Sequence, residues 1–419
     1  MKKLFFINDT VENKISYYHL VCILVTLPFD FFYSKLIFIS FALHTLIHAQ
    51  KVKNIFTKEV LVLISIYLLG VIGVLYSQDK DEAFSIVMRQ WSVLIIPIVF
   101  SISNFNIEKY KLNLVCIFGF ACTAGILYLY ADALLTTYHF HLPLSSLLSL
   151  AFMNHNFSMP VKIHATYLSI YTAFSIIYFL YVLFNNSSGK IKWLYIFCTI
   201  ILSAGLIQLS SKSVFIAVLI IVNLFFPFFL FNGRRRLLFF LTACFVSVTV
   251  LVMIANVDSF KTRYISELKT DLTDNVKIIE NTEPRLARWE AILELAKRHP
   301  LAGYGTGAER KELKEVYFTK GLYISYLNEF NAHSQYLSIL IRLGIIGLAL
   351  YMYILYFGFA TAFKKKDILF LGFMVVITTV SISENFLDMD RGVFFYSFFF
   401  SLFLIKESKK VTKPNKVVA

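Results

Sequence analysis

Cysteine is sparse in this chain, and the few present are badly placed for chemistry. Cys22, Cys116, Cys122, Cys198 and Cys244 all lie inside apolar stretches, with no CxxC pair and no histidine beside them. They read as small core residues, not as metal ligands or disulfide partners. No GxxxxGK[ST] occurs, which excludes a nucleotide P-loop. There is no HExxH and no carboxylate cluster that calls for a metal, and no cofactor is expected. Asp79, Asp81 and Glu82 read as an acidic loop. The ~10-residue alternation of a transmembrane β-barrel is missing. A basic start, MKKLFF, precedes an apolar run without a small-residue cleavage site, so that run is expected to stay as a helix and not be removed as a signal peptide.

What the chain has in excess is apolar surface. Hydrophobic residues make up 58% of it, with 44 Phe and 24 Tyr, more than a soluble fold of 419 residues can hide. Apolar runs near the ~20 residues of a spanning helix recur throughout. Twelve candidates lie at roughly 16–34, 36–49, 59–77, 88–103, 112–134, 163–184, 191–209, 213–231, 237–256, 334–362, 367–384 and 392–405. The fold class expected is all-α: a polytopic membrane protein of about 12 transmembrane helices. Lys and Arg then orient it. With the N-terminus inside, 21 fall on cytoplasmic segments and only 6 on short outer connections (Lys35, Lys80, Arg89, Lys162, Lys212 and Arg391). Such an imbalance places both termini in the cytoplasm. The formal charge of +14 is thus mostly an orientation signal with some attraction to lipid headgroups, and no nucleic acid partner is expected.

The expected organisation is helices 1–9 over 1–256, a large folded periplasmic loop over 257–333, helices 10–12 over 334–405 and a basic cytoplasmic tail over 406–419. The loop is far longer than ordinary connections. Within it, "NTEPRLARWEAILELAKRHPLAGYGTG" (281–307) reads as a helix. Thr282 or Glu283 can cap it, Pro284 suits its first turn, and Leu286, Trp289, Leu293 and Ala296 fall at helical spacing. Arg285 sits in the first turn, unfavourable for a cation unless an anion docks there. The plainer alternative is a surface arginine on an amphipathic helix.

After the loop comes "NAHSQYLSILIRLGIIGL" (331–348), with His333 read as opening a helix and Gly344 and Gly347 as permitting close packing. A neutral imidazole is a ready general base for a hydroxyl; an interfacial cap is the competing reading. Arg342 lies deep enough to require a partner or a wet cavity. His164, at the start of a span, Lys212, in the tight turn "SSKSV", and Arg89 face the same side, and each could alone be an interfacial anchor. Together they suggest a site for an anionic, lipid-borne substrate such as a diphosphate.

Three features make the chain resemble the O-antigen ligase and O-antigen polymerase superfamily of bacterial envelope glycosyltransferases. They are "RLARWEAILELAKRHPLAGYGTG", "HSQYLSILIRLGIIG", and a twelve-span layout with a large periplasmic loop before the second motif's helix. The resemblance implies an enzyme of the bacterial inner membrane working at its periplasmic face without a metal. Its donor would be an undecaprenyl diphosphate-linked glycan and its acceptor lipid A-core or another glycan. It implies His333 as general base and Arg285 as a catalytic ligand of the diphosphate; Lys212, Arg288, His164 and Arg89 are read as further contacts to it. Lys212 stands where the family has arginine, which keeps the charge but loses the bidentate fork. Ser334 replaces the asparagine usual after the histidine.

A ligase is the leading expectation and a polymerase of the same superfamily the alternative, because both share the donor chemistry. A flippase or other transporter would show inverted repeats, broken helices and midplane charges. No repeat is evident. Nor can a pair of carboxylates at glycosidase separation be proposed.

Overall fold

A computed structural model describes residues 2–49, 55–185, 189–272 and 283–405. The expected cap Thr282, the lysines 51 and 53 and the tail 406–419 lie outside the described residues. The helices used below are α1 (Val11–Thr26), α2 (Phe31–Ile47), α3 (Lys58–Tyr76), α4 (Lys80–Arg89), α5 (Trp91–Ile102), α6 (Ile107–His139), α7 (Ala165–Asn185), α8 (Lys190–Leu209), α9 (Lys212–Leu230), α10 (Gly233–Asn256), α11 (Arg285–Ala296), α12 (Glu309–Thr319), α13 (Tyr323–Leu327), α14 (Gln335–Lys365), α15 (Ile368–Ser383) and α16 (Asp390–Leu404).

An apolar helix stands at each of the twelve expected runs, and there is no strand among the described residues. Among the described residues eight helical stretches are long and apolar enough to cross a membrane on length and composition, counting α4 and α5 as one; α2 and α15 are shorter apolar helices. The chain is an all-α polytopic membrane protein. Two of the shorter helices, α15 and α16, are central. α15 and α16 are buried almost all round, as is α7 from Ala165 to Phe179. A helix apolar on every side belongs inside a bundle or in lipid. Here Phe174, Phe395 and Phe399 interleave with Phe118 of α6 at ring separations of 4.6–6.5 Å. At the other extreme α10 buries only Ala243 and Ile254.

Three local expectations need correction. Asp79, Asp81 and Glu82 do not form a loop: Asp79 caps α4 by accepting from the Glu82 N–H at 2.9 Å, and the other two sit in its first turn, where a helix favours acids. The chain then turns at Gln90 before α5, so Arg89 ends α4 instead of opening a span. α9 contains a π turn over Ile221–Phe225, just ahead of Pro227. Proline lacks an N–H and crowds the carbonyl four residues back, and the widened turn accommodates both. Three of the cysteines, Cys116, Cys122 and Cys198, are buried as expected, but Cys22 is exposed.

Gly344 does more than permit close packing. It breaks α14 at φ +63°, ψ −162°, a conformation open only to glycine. The loop after α11 fills the break. Tyr304 and Gly305 donate their N–H groups to the carbonyls of Ile341 and Arg342 at 2.8 and 2.9 Å, and Ile345 donates to Pro300 at 2.8 Å. The backbone groups that the interrupted helix leaves open are thus satisfied by "PLAGYG". A Cβ at Gly344 would run into the Leu301 carbonyl. Gly344→Ala is expected to lose at least about 1–3 kcal/mol from conformation alone, read as a lowered unfolding temperature in detergent.

Candidate active site

The broken first half of α14 and the loop before it are held from four sides. His333 does not begin the helix as expected. It stands two residues ahead of it, in the left-handed region at φ +44°. A non-glycine residue holds that conformation only when its surroundings impose it. Here its own N–H donates to Asn331 Oδ1 at 3.0 Å. The residue before it, Ala332, donates its N–H to the Glu309 carboxylate at 3.0 Å and accepts from the Trp289 indole N–H at 3.1 Å. The residue after it, Ser334, donates to Asn385 Oδ1 at 2.7 Å. Trp289 therefore ties the arginine–tryptophan helix to the histidine loop directly, which is a physical reason for the two motifs to occur together.

Glu309 and Asn385 are themselves fixed by Arg342. This guanidinium is 7% exposed, makes two bonds of 2.7 and 2.6 Å to Asp388, and pairs with Glu309. Asn385 donates to both carboxylates at 3.3 Å, and Ser338 donates to Glu309. The partner that Arg342 requires is thus a carboxylate pair.

Around this frame lie the candidate cations. α11 buries Arg288, Ala291, Ile292, Leu295 and Ala296. That differs from the expected apolar face, since Leu293 is turned outward. Arg288 is 6% exposed, and its Nε and Nη1 have no hydrogen-bond partner among the described residues. Its guanidinium carbon lies 5.2 Å from the Phe330 ring centroid, and that ring is 5.7 Å from the His333 ring. Burial pulls the Arg288 pKa below its ordinary value.

Arg285 is half-buried. It donates to the Ser383 carbonyl at 3.2 Å and lies 3.5 Å from the Asp271 carboxylate. Lys212 reaches the same Asp271 oxygen at 3.5 Å and Glu267 at 3.2 Å, so one carboxylate joins the two cations. Glu283 does not cap α11. It accepts from the Ile324 and Ser325 N–H groups at 2.8 Å and caps α13, because the chain enters α11 extended through Pro284 and carries Glu283 past it.

The histidines are neutral here. Burial, with Arg288, Arg285 and His164 adding to it, pushes His333 down to about 3. Burial and a neighbouring His155 push His164 down to about 4. His155 and His164 lie with ring centroids 4.1 Å apart. Glu384, just beyond α15, accepts from the Thr166 hydroxyl at 3.3 Å; burial raises its pKa, with Arg285 pulling the other way.

Of the six residues singled out by sequence, five meet at this end of the bundle: His333, Arg285, Arg288, His164 and Lys212. Arg89 is engaged in its own helix, with Ser85 at 2.8 Å and Glu82 at 3.1 Å. Sequence reading missed Glu309, Asn385, Asp388, Glu384 and His155, none of which carries a local signal. Among the described residues no group of His, Cys, Asp or Glu is arranged to hold a metal.

Residues 197–352 match the family model described as O-antigen ligase. Over that stretch the chain is similar to the O-antigen ligase family. The match covers less than half of the chain, from within α8 to within α14. This O-antigen ligase domain includes Lys212, Arg285, Arg288, Glu309 and His333, while His164, Glu384, Asn385 and Asp388 lie outside it. No curated protein matches the chain. The match supports a membrane enzyme of the ligase or polymerase type.

Proposed function

We propose that the enzyme transfers a glycan from a polyprenyl diphosphate carrier, undecaprenyl diphosphate, to an acceptor hydroxyl, with lipid A-core as the acceptor. The observation that carries this reading is Arg288: a buried guanidinium whose Nε and Nη1 are unpaired among the described residues, near a histidine held neutral by burial. An uncompensated buried charge is costly and persists where an anion joins it. A diphosphate supplies that anion, and Arg285 adds a second guanidinium whose fork matches phosphate oxygens.

In this reaction His333 takes the proton of the acceptor hydroxyl, whose oxygen bonds to the anomeric carbon. The bond from that carbon to the diphosphate oxygen breaks, and the carrier leaves with the electron pair. Fixed cations meet the charge as it develops, in a site with little water, where they act most strongly. Displacement in one step inverts the anomeric centre. The lysine and arginine bias supports a site on the periplasmic face.

The test is a gel of envelope glycolipids from strains carrying wild type, a deletion or His333→Ala. Loss of the whole ladder on lipid A-core in the His333→Ala strain, with lipid-linked polymer accumulating, is the result expected. A product stopped at core plus one repeat would make the acceptor a second lipid-linked unit and the enzyme a polymerase. A normal ladder in the variant beside a defective deletion would remove His333 as the base.

A further inference from the structure

The segment between α11 and α14 has a small core of its own, in which Ile292 and Leu295 of α11 meet Leu313, Val316 and Tyr317 of α12. Its outer surface is unusual. A shallow recess of about 280 Å3 is lined by Lys311, Lys314, Glu315, Phe318 and Tyr326. Phe318 is 56% exposed and neighbouring Tyr323 57%. Phe318 lies 5.2 Å from the Tyr326 ring and 6.1 Å from the Tyr323 ring. Lys314 stands 5.4 Å over Tyr326 while holding Glu329 at 2.7 Å.

Clustered exposed rings mark a contact surface. Bare rings alone would suit a membrane. Here, however, Lys311, Lys314 and Glu315 line the recess and Glu329 pairs with Lys314 beside it, and pressing them into the hydrocarbon would strip water from four charges. Ring faces with a negative quadrupole, bordered by both donors and acceptors, suit a ligand that is C–H-rich on one face and hydroxyl-rich at its edge. A saccharide has that character.

The surface is rigidly joined to the candidate site. Glu309, the first residue of α12, holds the Ala332 N–H, and the Phe330 N–H donates to Ser325 of α13 at 3.1 Å. Nine residues of helix from Glu309 to Phe318 span about 13 Å, a distance for an oligosaccharide and not a single sugar.

We propose that the Phe318–Tyr323–Tyr326 face is a glycan subsite, which takes the part of the saccharide chain remote from the reacting sugar. It rests on the transferase reading for its role but not for its test. The full chain in lipid nanodiscs is titrated calorimetrically with the oligosaccharide freed by mild acid from the host strain's lipid-linked glycan. Phe318→Ala with Tyr326→Ala is expected to weaken binding by roughly tenfold or more; Phe318→Trp, which keeps a ring, is expected to bind as wild type. His333→Ala is also expected to bind as wild type, so loss of the catalytic assignment would leave this result standing. Equal affinity of wild type and the double alanine variant would overturn the subsite. So would protection of residues 314–326 from hydrogen exchange by the bilayer alone with none added by the saccharide, which would make the face a membrane contact.

Discussion

Arg288→Met is expected to lower kcat/KM for the lipid-linked donor by roughly 10²–10³-fold while leaving the protein as stable as wild type or more so. The two effects have opposite causes. In the free protein the guanidinium is buried with Nε and Nη1 unpaired among the described residues, so an unbranched apolar side chain of similar length removes a desolvation penalty. In the proposed reaction the same charge would face the leaving diphosphate, and its loss would be felt where negative charge grows. Parallel thermal unfolding and kinetics separate the roles: a variant that loses stability in step with activity would make Arg288 structural. Arg288→Lys is expected to recover only part of the rate, because an ammonium cannot present two parallel donors.

The same pair sets a pH dependence. His333 is held at about 3 by burial with Arg288 and Arg285 beside it, against an ordinary value near 6.5. A lowered histidine pKa means that the neutral base is already present throughout pH 5–8. The kcat/KM profile, which reports the free enzyme, should therefore lack a histidine limb in that range. A bound diphosphate counters both arginines and returns the ring toward its ordinary value, so the acid limb of kcat should lie at higher pH than that of kcat/KM. Removing Arg288 should raise the kcat/KM limb. The reverse order in the pH–rate profiles would contradict the arrangement. Stability follows with the same sign: the neutral-ring contribution is complete above about 6.5 and is lost as pH falls toward the folded value.

Asp388→Asn is expected to be the most destabilising single change at the site, by about 3–5 kcal/mol, because it leaves the buried Arg342 with half of its compensation. Arg342 spends two bonds on Asp388 and a third contact on Glu309, and Glu309 in turn holds the Ala332 N–H. Glu309→Gln keeps an acceptor at that position but weakens it. We expect a milder loss of stability and a fall in kcat with little change in KM, as His333 relaxes from φ +44° and the base loses its aim. Thermal unfolding in detergent and donor kinetics measure both. Wild-type stability in Asp388→Asn would show that the ion cluster does not hold the loop.

The twelve apolar runs, their order and the all-helical class were legible in the sequence because each depends only on composition and length within one segment. So were the two motifs and the demand of Arg342 for a partner, since a charge at that depth is costly whatever surrounds it. The choice of partner was not. Asp388 is 46 residues from Arg342, and Asn385 51 residues from Ser334. Glu309 looks like any acid in the first turn of an exposed helix. Periodicity also misjudged α11: Leu293 fits an apolar stripe but faces outward, and Arg288, polar by type, is buried against Phe330. The left-handed His333, the break at Gly344 and the neutrality of the histidines belong to the tertiary structure alone. Each comes from backbone groups, rings and charges brought together from distant segments, and no local pattern records such meetings. The sequence by itself determined where the chain is apolar and which residues are chemically capable; packing decided which of them face one another.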